Sequence, residues 1–264
     1  VRSKQTRHKG SAKRPVIRVE AGIATSTEDY LAEEVPVAMH FNGTPYAVMM
    51  TTPADLEDFA YGFALTERGL AKVDDVEVSE SLEGIVIDIR GDVRDTRSPR
   101  DMPGRSGCGI CGSRELEDIV RHPEPVGEGI SIHATTVERA LEELRDRQPI
   151  NTVTGSVHAA AWIDAQGTVI LVREDVGRHN ALDKLIGAMR CGGVDPTLGF
   201  AVITSRASYE MVTKAATAGI AIVAAISAPT ALAVHLADAC NVTLLGFARP
   251  GRFVMYAHER RVRC

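Results

Sequence analysis

From Val157 to the end of the chain, short apolar runs alternate with amphipathic stretches, and this alternation constrains the fold more than any other feature. Val157 to Ile163 and Thr168 to Val172 read as a hairpin across Asp164 to Gly167. A helix follows at about Arg178 to Met189, then strand Phe200 to Thr204 and helix Tyr209 to Ala218. Strand Ile220 to Ile226, helix Thr230 to Ala239, and strands Val242 to Phe247 and Phe253 to His258 complete the pattern. Strands alternating with helices predict a largely parallel sheet with helices on both faces. The apolar stretch Ala218 to Ala237 approaches the length of a membrane span. Ser227-Ala228-Pro229-Thr230 interrupts it, so it reads as a buried strand, a turn and a helix.

The preceding residues follow a different plan. Val16 to Val19 alternates with period two, and Pro36 to Met50 reads as a hairpin across Asn42-Gly43, a pair suited to a tight turn. Thr52-Pro53 predicts a helix start with threonine as cap, and Gly69 its end. Val76 to Ser79 and Ile85 to Ile89 are further strands, and Thr135 to Arg147 a helix. The fold class is therefore α/β: an N-terminal α+β domain over residues 16–130, then a three-layer α/β/α domain over 131–264. Residues 1–15 carry six Lys or Arg and no acid, and read as a disordered basic tail.

Each strand of the second half exits into polar residues. The hairpin runs into Arg173-Glu174-Asp175-Val176-Gly177-Arg178-His179-Asn180, and the next strand into Ser205-Arg206-Ala207-Ser208. Ser227 to Thr230 follows the third, and Ala248-Arg249-Pro250-Gly251-Arg252 the last. In an open parallel sheet, ligands bind beyond the carboxyl ends of the strands. Helix starts offer N–H groups to anions, and arginine offers a fork to phosphate. Glu174 or Asp175 would suit the edge of a purine. For any single exit, capping with a surface ion pair is the plainer reading. Together the four exits favour an anionic, nucleotide-bearing ligand.

The chain's other chemical feature is Gly107-Cys108-Gly109-Ile110-Cys111-Gly112, at the end of a long polar loop from Arg90. Ser113 is placed to cap a helix over Arg114 to Val120, and a helix start with nearby arginines favours thiolate. A redox dithiol, half a zinc site, a structural loop and a persulfide-bearing nucleophile all fit this spacing. The motif alone does not choose among them. Cys191, Cys240 and Cys264 are single and scattered, so no second pair completes a four-ligand zinc site and no metal is expected. The odd cysteine count argues for a reducing cytosol, and no signal-peptide core precedes the first strand. The formal charge of −5 gives no general case for nucleic acid.

The run Arg173 to Gly187 resembles the signature of the FdhD family, formate dehydrogenase accessory sulfurtransferases. Gly107 to Gly112, Thr204 to Ala215 and Gly246 to Arg252 resemble further motifs of that family, in its order. The resemblance implies a cytoplasmic homodimer whose second domain is cytidine-deaminase-like. It implies sulfur taken as a persulfide from a cysteine desulfurase and passed to the molybdenum cofactor, bis-molybdopterin guanine dinucleotide, before that cofactor enters formate dehydrogenase. By motif, Cys108 is the persulfide cysteine and Cys111 its partner, while Phe247, Ala248, Arg249, Pro250, Gly251 and Arg252 match the cofactor-binding segment. Zinc-dependent deamination does not fit, because His158-Ala159-Ala160 lacks the required glutamate and the cysteine pair precedes it. A thiol-disulfide oxidoreductase is the alternative, and a cofactor chaperone without sulfur chemistry the non-enzyme reading.

Overall fold

The computed structural model describes residues 9–92 and 123–264. The cysteine pair and the helix expected over Arg114 to Val120 lie outside the described residues. The described residues open with a two-stranded antiparallel ribbon, β1 (Ser11–Glu20) and β2 (Ile23–Ala32), turning at Ala21-Gly22. Residues 11–15 are therefore strand, not tail. Their basic side chains are compatible with a ladder because β2 brings acids opposite, as in the 2.5 Å pair of Lys13 with Glu28.

The first lobe is a four-stranded sheet in the order β4 (Thr44–Thr51), β3 (Val35–Phe41), β6 (Ile85–Arg90), β5 (Asp75–Glu80). Asn42 and Gly43 both take positive φ, the condition for a two-residue turn between twisted strands. Helix α1 (Leu56–Arg68) covers one face, and Phe59, Ala60, Phe63 and Ala64 bury against Val37, Met39, Ile87 and Ile89. The N-cap position is Asp55, in a left-handed conformation and with no side-chain capping bond, rather than Thr52. The hydroxyl of Thr52 instead accepts from Val176 N at 3.1 Å, a tertiary bond that displaces the local cap.

The second lobe is a six-stranded sheet ordered β13 (Arg252–Ala257), β12 (Thr243–Arg249), β11 (Ile222–Ala225), β10 (Gly199–Ile203), β8 (His158–Asp164), β9 (Val169–Asp175). Only β10–β11 and β11–β12 are parallel, so the sheet is mixed rather than largely parallel. Both flanks are hairpins, and a hairpin is antiparallel by construction. Helices α4 (Arg178–Cys191), α5 (Tyr209–Thr217) and α6 (Ala231–Ala239) cover one face. Helix α2 (Ala134–Asp146) covers the other, with short α3 (Pro149–Thr154) and the two-residue pair β7 (Ile132–His133) and β14 (Val262–Arg263) completing the lobe. Residues 123–131 pack here: Val126 N donates to Cys240 O, and Arg261 donates to the carbonyls of Gly127 and Glu128. The second lobe thus begins before residue 131. Among the described residues, no helix is long and apolar enough to cross a membrane.

The lobes are welded where α1 meets α4. A Cβ on Gly62 would stand 1.8 Å from Asp183 O, and one on Gly187 would stand 1.7 Å from Asp58 O. Only glycine at both positions lets the two backbones come this close. Beside them Lys214 binds Asp183 at 2.8 Å and Glu67 at 2.9 Å, and Thr66 donates to Asp183 at 2.7 Å. Burial works against the Lys214 charge, but the Asp183 and Glu67 carboxylates outweigh it and hold its pKa above the ordinary lysine value. Burial pushes the Asp183 carboxyl up while Lys214 opposes the shift.

Two outcomes test the weld. Gly187→Ala must separate the helices, and we expect a loss at or above the upper end of the roughly 1–3 kcal/mol typical of overpacking, read in urea denaturation. Lys214→Met leaves a buried carboxylate unpaired and is expected to cost about 3–5 kcal/mol in the same measurement. Wild-type midpoints for both variants would show that the contact is not the lobes' main bond.

Candidate functional site

The strand directions bring the expected exits to one edge of the six-stranded sheet. Strands β10, β11 and β12 end there, β13 begins there, and His158 at the start of β8 stands opposite Asp175 at the end of β9. Backbone bonds staple the exits together: Ser227 N to Ser205 O, Thr230 N to Ala207 O, and Phe247 N to Ser227 O. Ala207 and Pro229 add an isolated parallel bridge. The rim is a continuous shelf rather than separate loops.

Two helices start on this shelf. Thr230 caps α6, its hydroxyl accepting from Ala233 N at 3.2 Å. Ser208 caps α5 by position only; its hydroxyl is buried and has no hydrogen-bond partner among the described residues. Arg206 between them is exposed, while Ser205 is buried and its hydroxyl donates to Arg206 O at 3.0 Å. Free N–H groups, an unengaged hydroxyl and an exposed guanidinium make a donor set for an anion.

The segment Phe247 to Arg252 forms the next part of the shelf. Arg249 stands opposite Arg252 across the turn, and both are exposed. Like charges facing each other across a strand pair are unfavourable in the absence of an anion. Arg249 donates to the carbonyls of Ile226 and Ala248, which ties it to the β11 exit. Phe247 is half exposed and holds φ at 51°, uncommon for a bulky residue. Ala248 is fully buried and serves as core, and Pro250-Gly251 makes the turn, with Gly251 at φ 82°.

Glu174 and Asp175 do not join this shelf as free acceptors. Glu174 is buried and accepts from the N–H groups of Ile150 and Asn151 at 2.9 and 2.8 Å, holding the start of α3. Asp175 is fully buried and binds Lys184 at 2.6 Å. It also accepts from Thr52 N, Gly177 N, Asn180 Nδ2 and the Thr51 hydroxyl. Both carboxylates are engaged in holding the chain, which runs against the expectation that either reads a purine edge.

Two histidines that the sequence left without a role stand on the same edge. His179 is buried, with Nε2 2.7 Å from Glu210. Burial lowers the His158 pKa, and the neighbouring Arg178 lowers it further against Asp175. Their signal was position: each lies within a turn of a strand or helix end on this rim. A cleft along β9, lined in part by Asp55, Arg147 and Arg173, has its arginines already paired, with Glu143 at 2.9 Å and Asp58 at 2.7 Å. No cluster of three metal-ligating side chains occurs among the described residues.

Comparison with known proteins places these features in a family. The family model described as FdhD/NarQ matches residues 32–263. The sulfur carrier protein FdhD of Xanthomonas campestris pv. campestris (strain B100) is 52% identical over 261 residues, covering 96% of this chain and 92% of that one. The protein of the same name from Bordetella bronchiseptica is 50% identical over 256 residues, covering 94% and 93%. In fold, the chain is similar to the crystal structure of a candidate formate dehydrogenase accessory protein from Desulfotalea psychrophila. The TM-score is 0.75 at 22% identity, with 96% of this chain and 99% of that one covered. The extent of these matches, over both lobes and the rim that joins their strand exits, shows that the chain belongs to the FdhD/NarQ family.

Proposed function

We propose that this chain is a sulfur carrier that serves formate dehydrogenase, taking sulfur from a cysteine desulfurase and passing it to bis-molybdopterin guanine dinucleotide, the substrate. The observation that carries the reading is family membership at about half identity to proteins named sulfur carrier. The cationic, donor-rich rim supports it, because a dinucleotide substrate presents phosphates and flat heterocycles. In this reading Cys108 is the acceptor and Cys111 its partner. The Cys108 thiolate attacks the outer sulfur of the desulfurase persulfide. One S–S bond forms on Cys108 as the other breaks, and the desulfurase thiolate leaves. A homodimer, a cytoplasmic location and a cytidine-deaminase-like second lobe belong to the same reading.

Each rim residue then has a task. Arg206 and Arg252 fork phosphate oxygens, and the start of α5 with the Ser208 hydroxyl supplies further donors. The Phe247 ring offers an apolar face to a heterocycle. Anion binding relieves the opposition of Arg249 and Arg252. Glu174 and Asp175 take no part in contacting the substrate and hold α3 and the lobe junction instead. The thiol-disulfide oxidoreductase alternative leaves this rim without a purpose.

Two experiments test the proposal. Incubated with desulfurase and cysteine, the protein is expected to gain the mass of one sulfur atom, and Cys108→Ala to abolish the gain and the maturation of formate dehydrogenase. Full maturation by the variant would defeat the assignment of Cys108. A charge-assisted bond to phosphate contributes about 1.5–3 kcal/mol, so Arg252→Ala is expected to weaken GDP binding by about one to two orders of magnitude in calorimetry. Persulfide loading should continue in that variant. Unchanged GDP affinity would place the ligand elsewhere.

A further inference from the structure

Helix α5, whose start offers donors to an anion, carries a carboxylate in its own first turn. Glu210 follows the cap residue Ser208 by two positions. A negative charge there suits the helix dipole while the rim is empty. It opposes a phosphate that approaches the same N–H groups. Among the described residues, the one ion-pair partner of Glu210 is His179, with Nε2 2.7 Å from Oε2 and outside hydrogen-bond alignment. Both side chains are largely buried, so water and salt screen the pair little. His179 stands in the first turn of α4, and the pair therefore spans the starts of two helices that open on the rim.

An imidazole gains or loses its charge near neutral pH. With His179 protonated, the pair carries no net charge. With His179 neutral, the Glu210 carboxylate stands uncompensated beside the α5 donors. The neighbouring cations have other tasks. Lys214, one turn along α5, is committed to Asp183 and Glu67. Lys184 is bound to Asp175 at the end of β9. His158 at the start of β8 interacts electrostatically with Arg178, His179 and Asp175. Arg206 is exposed on the rim itself.

We infer that His179 and Glu210 form a proton-operated gate on the anion site of the rim: the protein takes up a proton on His179 as it binds the pyrophosphate of its substrate, and loss of that proton weakens the complex. The inference rests on the proposed function and gives the regulation of that same site. At low pH the imidazolium cancels Glu210 and the anion is held. As pH rises through the histidine range, the bare carboxylate opposes the anion and favours its release.

GDP-mannose is the probe, because its pyrophosphate diester keeps a fixed charge where a terminal phosphate titrates, at about pH 6. In calorimetry on the full chain, wild-type affinity is expected to fall about tenfold between about pH 5.5 and about pH 8, the scale of one unit charge at close range. His179→Gln is expected to bind at the weak alkaline level of the wild type throughout that range. Glu210→Gln is expected to bind about tenfold more tightly than the wild type at about pH 8. The double variant His179→Gln/Glu210→Gln is expected to be insensitive to pH and to regain the acid-side affinity of the wild type. Damage to the fold would give neither the gain nor the recovery. Titrations in two buffers of different ionisation enthalpy are expected to show proton uptake by the wild type and none by His179→Gln. A His179→Gln protein that keeps the wild-type pH dependence, or a Glu210→Gln protein without the alkaline gain, would overturn the inference. Wild-type binding that is flat with pH yet weakened by Arg252→Ala would overturn the gate alone. No binding by the wild type at any pH would overturn the rim site along with it.

Discussion

The lobes are joined by a close approach of two backbones. At Gly62 and Gly187 the helices α1 and α4 meet without side chains between them, and the lobes register on that seam. Hydrophobic contact alone slides easily, because one methyl packs much like another. The seam is fixed by flanking groups that tolerate a single alignment. Asp183 meets Lys214 and Thr66 on one side. On the other, Asp175 meets Lys184 and the backbone of Thr52, while Asn180 donates to Met50 O. Breaking such a buried pair leaves a bare charge, so the network penalises displacement more than it adds net stability.

That seam explains why the run Arg173 to Gly187 reads as a signature. Arg173 pairs with Asp58, Glu174 holds α3, and Asp175, Asn180, Asp183 and Lys184 bind across or beside the lobe junction. Gly187 makes the close approach. Arg178 and His179 are the members at the rim. A polar run beside a strand exit looked like a ligand site, yet most of it is joinery. The same stretch also aims the rim, because α4 starts from it and β9 ends in it.

The second lobe was legible because its short apolar runs and helical stretches alternate and are separated by Gly, Ser and Pro. Asn42-Gly43 marked its turn by the backbone it requires. The parallel character of the sheet was overread, since alternation along the chain does not reveal that β8 and β13 enter reversed. The helix cap at Thr52 failed because a local signal lost to Val176, more than a hundred residues away. Residues 11–15 were hidden by composition: Lys13 and Arg14 look like a solvated tail until β2 supplies Glu28 and Asp29 opposite. The gathering of Ser205, Arg206, Ser208 and Arg252 on one edge followed from strand polarity. The engagement of Glu174 and Asp175 did not, because their partners come from α3 and the first lobe.

The rim gathers three unfavourable features on one edge. Phe247 holds a left-handed backbone, Arg249 and Arg252 face each other, and the Ser208 hydroxyl is buried without a partner among the described residues. Each is unfavourable in the free protein, and each is reduced by a ligand that brings negative charge, acceptor oxygens and a flat apolar surface. Strain of this kind persists only where the surroundings over-determine the geometry. Here the parallel core strands, the stapled exits and the fixed lobe seam do so. A ligand that binds the folded form alone adds stability in proportion to its occupancy. The rigidity of the seam and the unfavourable features of the rim are thus parts of one arrangement: the first holds the donors in place, and the second makes their engagement by an anion favourable.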